Sequence, residues 1–211
     1  MRLSIIQEYV EETGAGSGSD SELRRSLRQV VYAWIFGSAW TYIVVSAAYT
    51  RYGQLLGVSE FGFGLLAALP FSASLVQIPV SYLVERFGRH KTVFIVGGML
   101  HRVAWVLIGL VPLLLPPQLW STGLLAFVFI QAVLANVPIP VWYTWMGELV
   151  PASIRGRYFS RRTQVGQFVG LLTILVVGVV LDDAEMMGSM MMMDTISVLL
   201  VTAGLIGVVD F

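Results

Sequence analysis

Residues 63–93 read FGLLAALPFSASLVQIPVSYLVERFGRHKTV. Residues 63–84 carry no charge; then Glu85, Arg86, Arg89, His90 and Lys91 crowd around Gly88 before the chain turns apolar again. A helix of about 20 apolar residues matches the hydrocarbon thickness of a bilayer. The stretch therefore reads as a membrane span ending in a charged turn, with Gly88 able to take the left-handed conformation of a tight helix–helix connection. The composition of the whole chain agrees. Soluble domains carry about 25% charged residues, whereas this 211-residue chain carries 12% and is 56% hydrophobic, with a mean hydropathy of +0.77. So few charges cannot clothe a water-exposed globule, and lipid must face much of the surface. The formal net charge is zero, which argues against nucleic acid as a partner. The absence of cysteine excludes disulfides, thiolate catalysis and thiolate zinc sites.

Working outward, six segments approach the length of a span: residues 29–49, 63–83, 92–115, 120–143, 164–181 and 189–209. None alternates as the ten-residue strands of a membrane barrel do, so the expected fold is all-α and polytopic. Lysine and arginine set the orientation. Eleven of the 13 bases fall before span 1, between spans 2 and 3, or between spans 4 and 5; Arg51 alone lies on the other side, and Arg102 lies within span 3. The positive-inside rule makes the basic side cytoplasmic. The expectation is a multi-pass protein of the cell (inner) membrane with a cytoplasmic N-terminus.

Residues 1–20 include the glycine- and serine-rich acidic stretch EETGAGSGSD and read as a flexible cytoplasmic tail. No apolar run follows a basic start there, so no cleavable signal peptide is read. Residues 21–28 place Leu23 and Leu27 on one helical face and Arg24, Arg25 and Arg28 away from it. That pattern suits an interfacial helix on an anionic leaflet, with an extension of span 1 as the alternative. Residues 29–211 form the six-helix transmembrane domain. Pro138 and Pro140 are expected to kink span 4.

Glu85 is the unexpected member of the charged turn, because a topology signal needs only bases. A carboxylate at the mouth of a bundle can engage a base in one conformation and release it in another, or it can simply neutralise Arg86 or Arg89 as a surface pair. SYLVERFGRHK resembles the signature loop of the major facilitator superfamily, G-x-L-a-D-r-x-G-r-k. Leu83, Arg86, Gly88 and Arg89 match; Lys91 lies just past them, Glu85 stands in the aspartate position and Ser81 in that of the first glycine. A second segment, GELVPASIRGRYFSRR, is similar to that family's E-x-x-P…R-G loop through Glu148, Pro151, Arg155 and Gly156, with Arg157 beside them. The resemblance covers about residues 28–211. It implies half of a two-part fold, two inverted three-helix repeats with substrate bound between halves near mid-membrane. The partner would be a second six-helix half, supplied by a longer chain or by a second copy. The loop residues would then gate the cytoplasmic side. Span 4 has no charge, whereas the family's proton antiporters carry an arginine there in an R-x-x-x-G motif, so drug–proton antiport is not implied.

The resemblance also implies a cavity lined by spans 1, 2, 4 and 5, with spans 3 and 6 more peripheral. Span 1 carries Trp34, Ser38, Tyr42 and Ser46 at four-residue intervals, one polar and aromatic stripe. Gln77 on span 2, Gln131 and Asn136 on span 4, and Gln164 and Gln167 on span 5 complete the candidate substrate cavity. Hydrogen bonding between helices is the alternative role for these polar groups. His101 and Arg102 are the ionisable residues well inside a span; Arg102 is expected to snorkel or to pair with Glu148 rather than to relay protons. The methionines of EMMGSMMMMD (residues 185–194) bring Cu(I) to mind as soft donors, yet they suit an adaptable apolar collar as well, and no metal site or cofactor is assigned. No phosphate-binding loop and no H-E-x-x-H motif is present. The expectation is a secondary transporter of a small solute, not an enzyme; the alternative is a half-size, non-transporting assembly partner.

Overall fold

A computed structural model describes residues 17–88 and 90–209, apart from the side chains of residues 17–24, 148 and 209. The tail expected at residues 1–16, Arg89, the Glu148 side chain and residues 210–211 lie outside the described residues. The described chain is helical throughout, with no strand among the described residues. Its helices are α1 (Ser17–Val44), α2 (Ala47–Leu55), α3 (Glu60–Ala73), α4 (Gln77–Phe87), α5 (His90–Gly109), α6 (Val111–Leu114), α7 (Trp120–Asn136), α8 (Pro138–Leu149), α9 (Ala152–Met186) and α10 (Ser189–Val209). A 3-10 turn at Ser74–Val76 joins α3 to α4, and another at Pro117–Leu119 leads into α7.

Five stretches are long and apolar enough to cross a membrane: Glu60–Phe87, His90–Gly109, Pro117–Gly147, Ala152–Met186 and Ser189–Val208. The sixth is the α1–α2 pair, bent by 40°. Counted as one broken span, that pair brings the number to the six expected. Residues 21–28 continue without a break into the first of them.

The interruptions have local causes. At the bend in span 1, Ser46 turns to extended backbone and its hydroxyl accepts the Ala48 N–H at 3.3 Å, capping α2. Ser59 caps α3 in the same way through the Gly62 N–H at 3.2 Å. Span 4 breaks where expected, between Asn136 and Pro138, because proline has no N–H for the preceding turn. At the charged turn Gly88 adopts φ +63°, and its N–H returns to the Val84 carbonyl at 2.9 Å. That is the left-handed helix ending expected from sequence.

The packing has a simple rule. Span 1 packs on spans 5 and 6, span 4 packs on spans 2 and 3, and span 3 packs on span 6. Exchanging span 1 with 4, 2 with 5 and 3 with 6 maps these pairs onto one another, as two three-helix repeats require; spans 5 and 6 also pack together, without a counterpart of that extent between spans 2 and 3. Spans 2 and 5 are the least enclosed, burying 11% and 22% of their apolar windows against 44% for span 3. Spans 3 and 6, expected to be peripheral, supply much of the unit's interior. Met192, Ile196, Leu200 and Ala203 of span 6 join Trp105 and Ile108 of span 3 in the main core, while Val198 and Leu205 face outward. Tyr52 of α2 is wholly buried and its hydroxyl reaches the Ile108 and Gly109 carbonyls at 3.1 Å. It satisfies carbonyls that the end of α5 would leave without a partner. A smaller core of Leu27, Met146, Val150, Ile154 and Tyr158 ties α1 to the basic connection between α8 and α9.

Candidate functional site

The span 1 stripe turns toward span 5 rather than toward open space. The Trp34 indole N–H donates to the Arg162 carbonyl at 3.1 Å, and the Ser38 hydroxyl donates to the Trp34 carbonyl at 2.6 Å. Opposite them lie Gly166, where a Cβ would meet Trp34 and Ser38, and Gly170, where it would meet the Tyr42 ring. Small residues let two membrane helices approach closely; here they make room for two aromatic rings. Trp34 and Tyr42 stay half-buried, while Gln164 and Gln167 stand exposed on α9.

The other candidates are drawn together in two amide contacts. Gln77 Nε2 donates to Asn136 Oδ1 at 2.5 Å, joining spans 2 and 4, and Asn136 Nδ2 donates to the Ala132 carbonyl at 2.8 Å. Gln131 Nε2 lies 2.8 Å from His101 Nε2, joining spans 4 and 3. On the far side of the imidazole, Arg102 Nη1 lies 3.3 Å from His101 Nδ1. A guanidinium only donates, so Nδ1 accepts and Nε2 carries the hydrogen of the neutral ring. The Gln131 amide satisfies that hydrogen when its oxygen, rather than its nitrogen, faces the ring.

Arg102 does not snorkel. It is 7% exposed, its guanidinium carbon sits 3.5 Å from the Trp40 ring centre, and its Nε donates to the Gly207 carbonyl at 3.2 Å. Trp40 also stacks edge-on against His101 at 5.2 Å. The described surroundings of Arg102 are thus contributed by spans 1, 3 and 6, a convergence that sequence spacing does not encode. A desolvated cation over a tryptophan face is worth about 2 kcal/mol.

At the basic end the two motif loops behave differently. Glu85 and Arg86 are exposed on the last turn of α4, with the Arg86 guanidinium 6.0 Å from the Phe87 ring. Among the described residues Glu85 has no ion-pair partner. Lys91 is exposed, Leu83 is exposed, and the Ser81 hydroxyl donates to the Gln77 carbonyl at 2.8 Å. In the second loop Pro151 is the N-cap residue just before α9, and Arg155 folds back on α8. Its Nη2 donates to the Gly147 and Val150 carbonyls at 2.6 and 3.1 Å. A cation on the terminal carbonyls complements the helix dipole. Gly156 and Arg157 are exposed beside it.

Two features here were not expected from sequence. The Arg162 guanidinium carbon lies 3.8 Å from the Trp34 ring centre and 4.9 Å from that of Trp142, joining the ends of spans 1, 4 and 5. Next to it opens a cleft of about 400 Å³ lined by Trp142, Tyr143, Met146, Gly147, Arg155 and Phe159. The aromatic density of WYTWMGELVPASIRGRYF was the available signal, but only folding places Phe159 opposite Trp142, 6.1 Å away.

A helical unit with up to six membrane spans and charged loops after spans 2 and 4 has the architecture of a polytopic membrane protein. The family model of the Major Facilitator Superfamily matches residues 31–209. The chain belongs to this superfamily, a family of membrane transporters. No curated protein and no solved structure matches it.

Proposed function

We propose that the chain is a secondary transporter, or one half of one, that moves a small solute by alternating access. The carrying observation is the low enclosure of spans 2 and 5, the two helices that the unit buries least. A second six-helix unit docked there would enclose a path between the two. Gln164 and Gln167 would line it from span 5, with Trp34 and Tyr42 of span 1 and Gln77, Gln131 and Asn136 of spans 2 and 4 bordering it. With the basic end cytoplasmic, Glu85, Arg86 and Arg89 would close one gate against the second unit. Glu148, Pro151, Arg155, Gly156 and Arg157 would form the neighbouring loop, in which Arg155 holds the end of α8. No carboxylate lies within the central part of spans 1 to 5, which favours movement without a carboxylate-borne proton.

The second reading, a non-transporting assembly partner, draws support from the amide contacts. Gln77 with Asn136, and Gln131 with His101, satisfy one another across helices and need no water-filled cavity. The natural absence of cysteine makes the test direct. Gln167→Cys and Phe168→Cys, made separately, are probed in native membranes with a membrane-impermeant maleimide applied from each side. A transporter labels at Gln167→Cys from both sides and not at Phe168→Cys. A sealed assembly leaves both positions unlabelled, and that result would end the transport reading.

A further inference from the structure

We propose that the turn between α9 and α10 binds a soft monovalent cation, Cu(I) or its redox-inert analogue Ag(I), through methionine sulfur. Six of the nine methionines in the chain lie between residues 186 and 193. The fold divides them. Met192 is buried in the main core at 3% exposure and Met193 packs against it. Met186, Met187, Met190 and Met191 are 80%, 68%, 75% and 46% exposed. Core packing therefore accounts for one pair and leaves four thioethers on the surface.

Those four flank one reversal of the chain. Met186 ends α9, Gly188 turns at φ +104°, and α10 begins at Ser189. The Gly188 N–H closes on the Glu185 carbonyl at 3.2 Å and the Met192 N–H on the Gly188 carbonyl at 3.0 Å, so the turn is tight. Successive Cα atoms are 3.8 Å apart, which keeps those of Met187 and Met190 within about 11 Å. Methionine's three rotatable bonds give each sulfur wide reach, so two donors from either side of the turn can meet at one ion.

The ligand type selects the ion. Thioethers are soft and uncharged, and they suit Cu(I) rather than calcium or magnesium, which take oxygen ligands. Among the described residues no three His, Cys, Asp or Glu side chains converge on a metal position, so the nearby carboxylates do not make a hard-cation site. Asp182, Asp183, Glu185 and Asp194 are all exposed around the turn. Their field concentrates cations at the site and offsets the charge that neutral sulfur leaves uncompensated. The one base that the sequence places on this side, Arg51, lies 3.4 Å from Glu185. Among the described residues no other exposed soft donor lies at this end. The chain has no cysteine, His101 is buried in span 3, and His90 stands at the basic end.

An apolar collar in the lipid headgroups asks only for flexible hydrophobic side chains, and leucine would serve it as well. The decisive experiment is equilibrium dialysis of the full chain in detergent against Ag(I) nitrate in chloride-free buffer, read by elemental analysis. The wild type is expected to bind Ag(I) saturably. Replacing Met186, Met187, Met190 and Met191 together by leucine, which nearly conserves volume, is expected to weaken binding by roughly 100-fold, because loss of outer-shell partners alone costs 10- to 100-fold. Equal binding by the two proteins would overturn the site, as would no binding by the wild type. A footprint on the unaltered protein covers the case of a poorly folding variant. Ag(I) is expected to slow peroxide oxidation of these four methionines and not of Met99; unchanged rates would be equally fatal to the proposal. Both readouts are independent of solute movement, so the transport reading and the metal site stand or fall separately.

Discussion

Arg102 and Arg86 carry the same guanidinium at opposite extremes of burial. Arg102 is held inside the bundle by Trp40, His101 and the Gly207 carbonyl. Arg86 stands in the open on the final turn of α4, beside an equally exposed Glu85. A charge taken out of water is costly unless every donor is engaged, so the surroundings of Arg102 are built into the packing of three spans. A charge left in water costs little and can change partners. The contrast assigns the interior arginine to the architecture of the unit and leaves the exposed loop available for contacts that form and break.

The largest effect is expected at the buried site. Arg102→Ala removes the stacking on Trp40 and the bond to Gly207, and it strands His101 Nδ1 without its donor. Bonds to charged groups are worth about 1.5–3 kcal/mol, so unfolding in detergent should shift by several times the thermal energy and folded yield should fall sharply. Arg102→Lys keeps the charge without the planar fork and should recover only part of the loss. Full stability in Arg102→Ala, read from the thermal unfolding midpoint, would break the contrast.

The span 1–span 5 seam comes next. Gly170→Val places new methyl groups where the Tyr42 ring lies, and overpacking of this kind costs about 1–3 kcal/mol. Tyr42→Ala added to Gly170→Val should restore part of the stability, since the clash and the ring disappear together. If the two changes are simply additive, the rings do not fill the space that the glycines leave.

A smaller coupling is expected between Gln77 and Asn136. A double-mutant cycle with Gln77→Leu and Asn136→Leu isolates the amide pair, and such interhelical bonds average about 0.6 kcal/mol in membranes. A coupling near zero would mean that the two amides face water rather than each other. That outcome would sharpen their candidacy as substrate contacts.

How much of this was legible in the sequence depends on the range of the interaction. The six spans, the break at Pro138 and the left-handed turn at Gly88 follow from runs and single residues, and local physics fixes them. The family follows from two loops, each of whose motifs is contained in a short run of sequence. The surroundings of Arg102 were not legible beyond its neighbour His101, because Trp40 and Gly207 come from spans distant in sequence. The neighbour of Trp34 was not legible for a related reason. Its four-residue spacing with Ser38 and Tyr42 identifies a face of the helix but not the neighbour that covers it, and the covering glycines lie on span 5. Sequence also placed Gln77, Gln131 and Asn136 on inward faces without revealing that two of them bond to each other.

The smallest effect on stability is expected at Glu85. The side chain is exposed and, among the described residues, has no ion-pair partner, so Glu85→Gln should change stability by no more than about 0.5 kcal/mol, as surface substitutions usually do. If the loop is a gate, the same substitution should alter how readily Gln167→Cys is labelled from the side of the basic loops, because losing the carboxylate removes whatever it engages in the closed state. Unchanged unfolding with changed labelling is the signature of a residue whose partner is transient. A loss of stability comparable to that of Arg102→Ala would instead make Glu85 a fixed structural charge, and the distinction between the two arginines would then no longer separate architecture from motion.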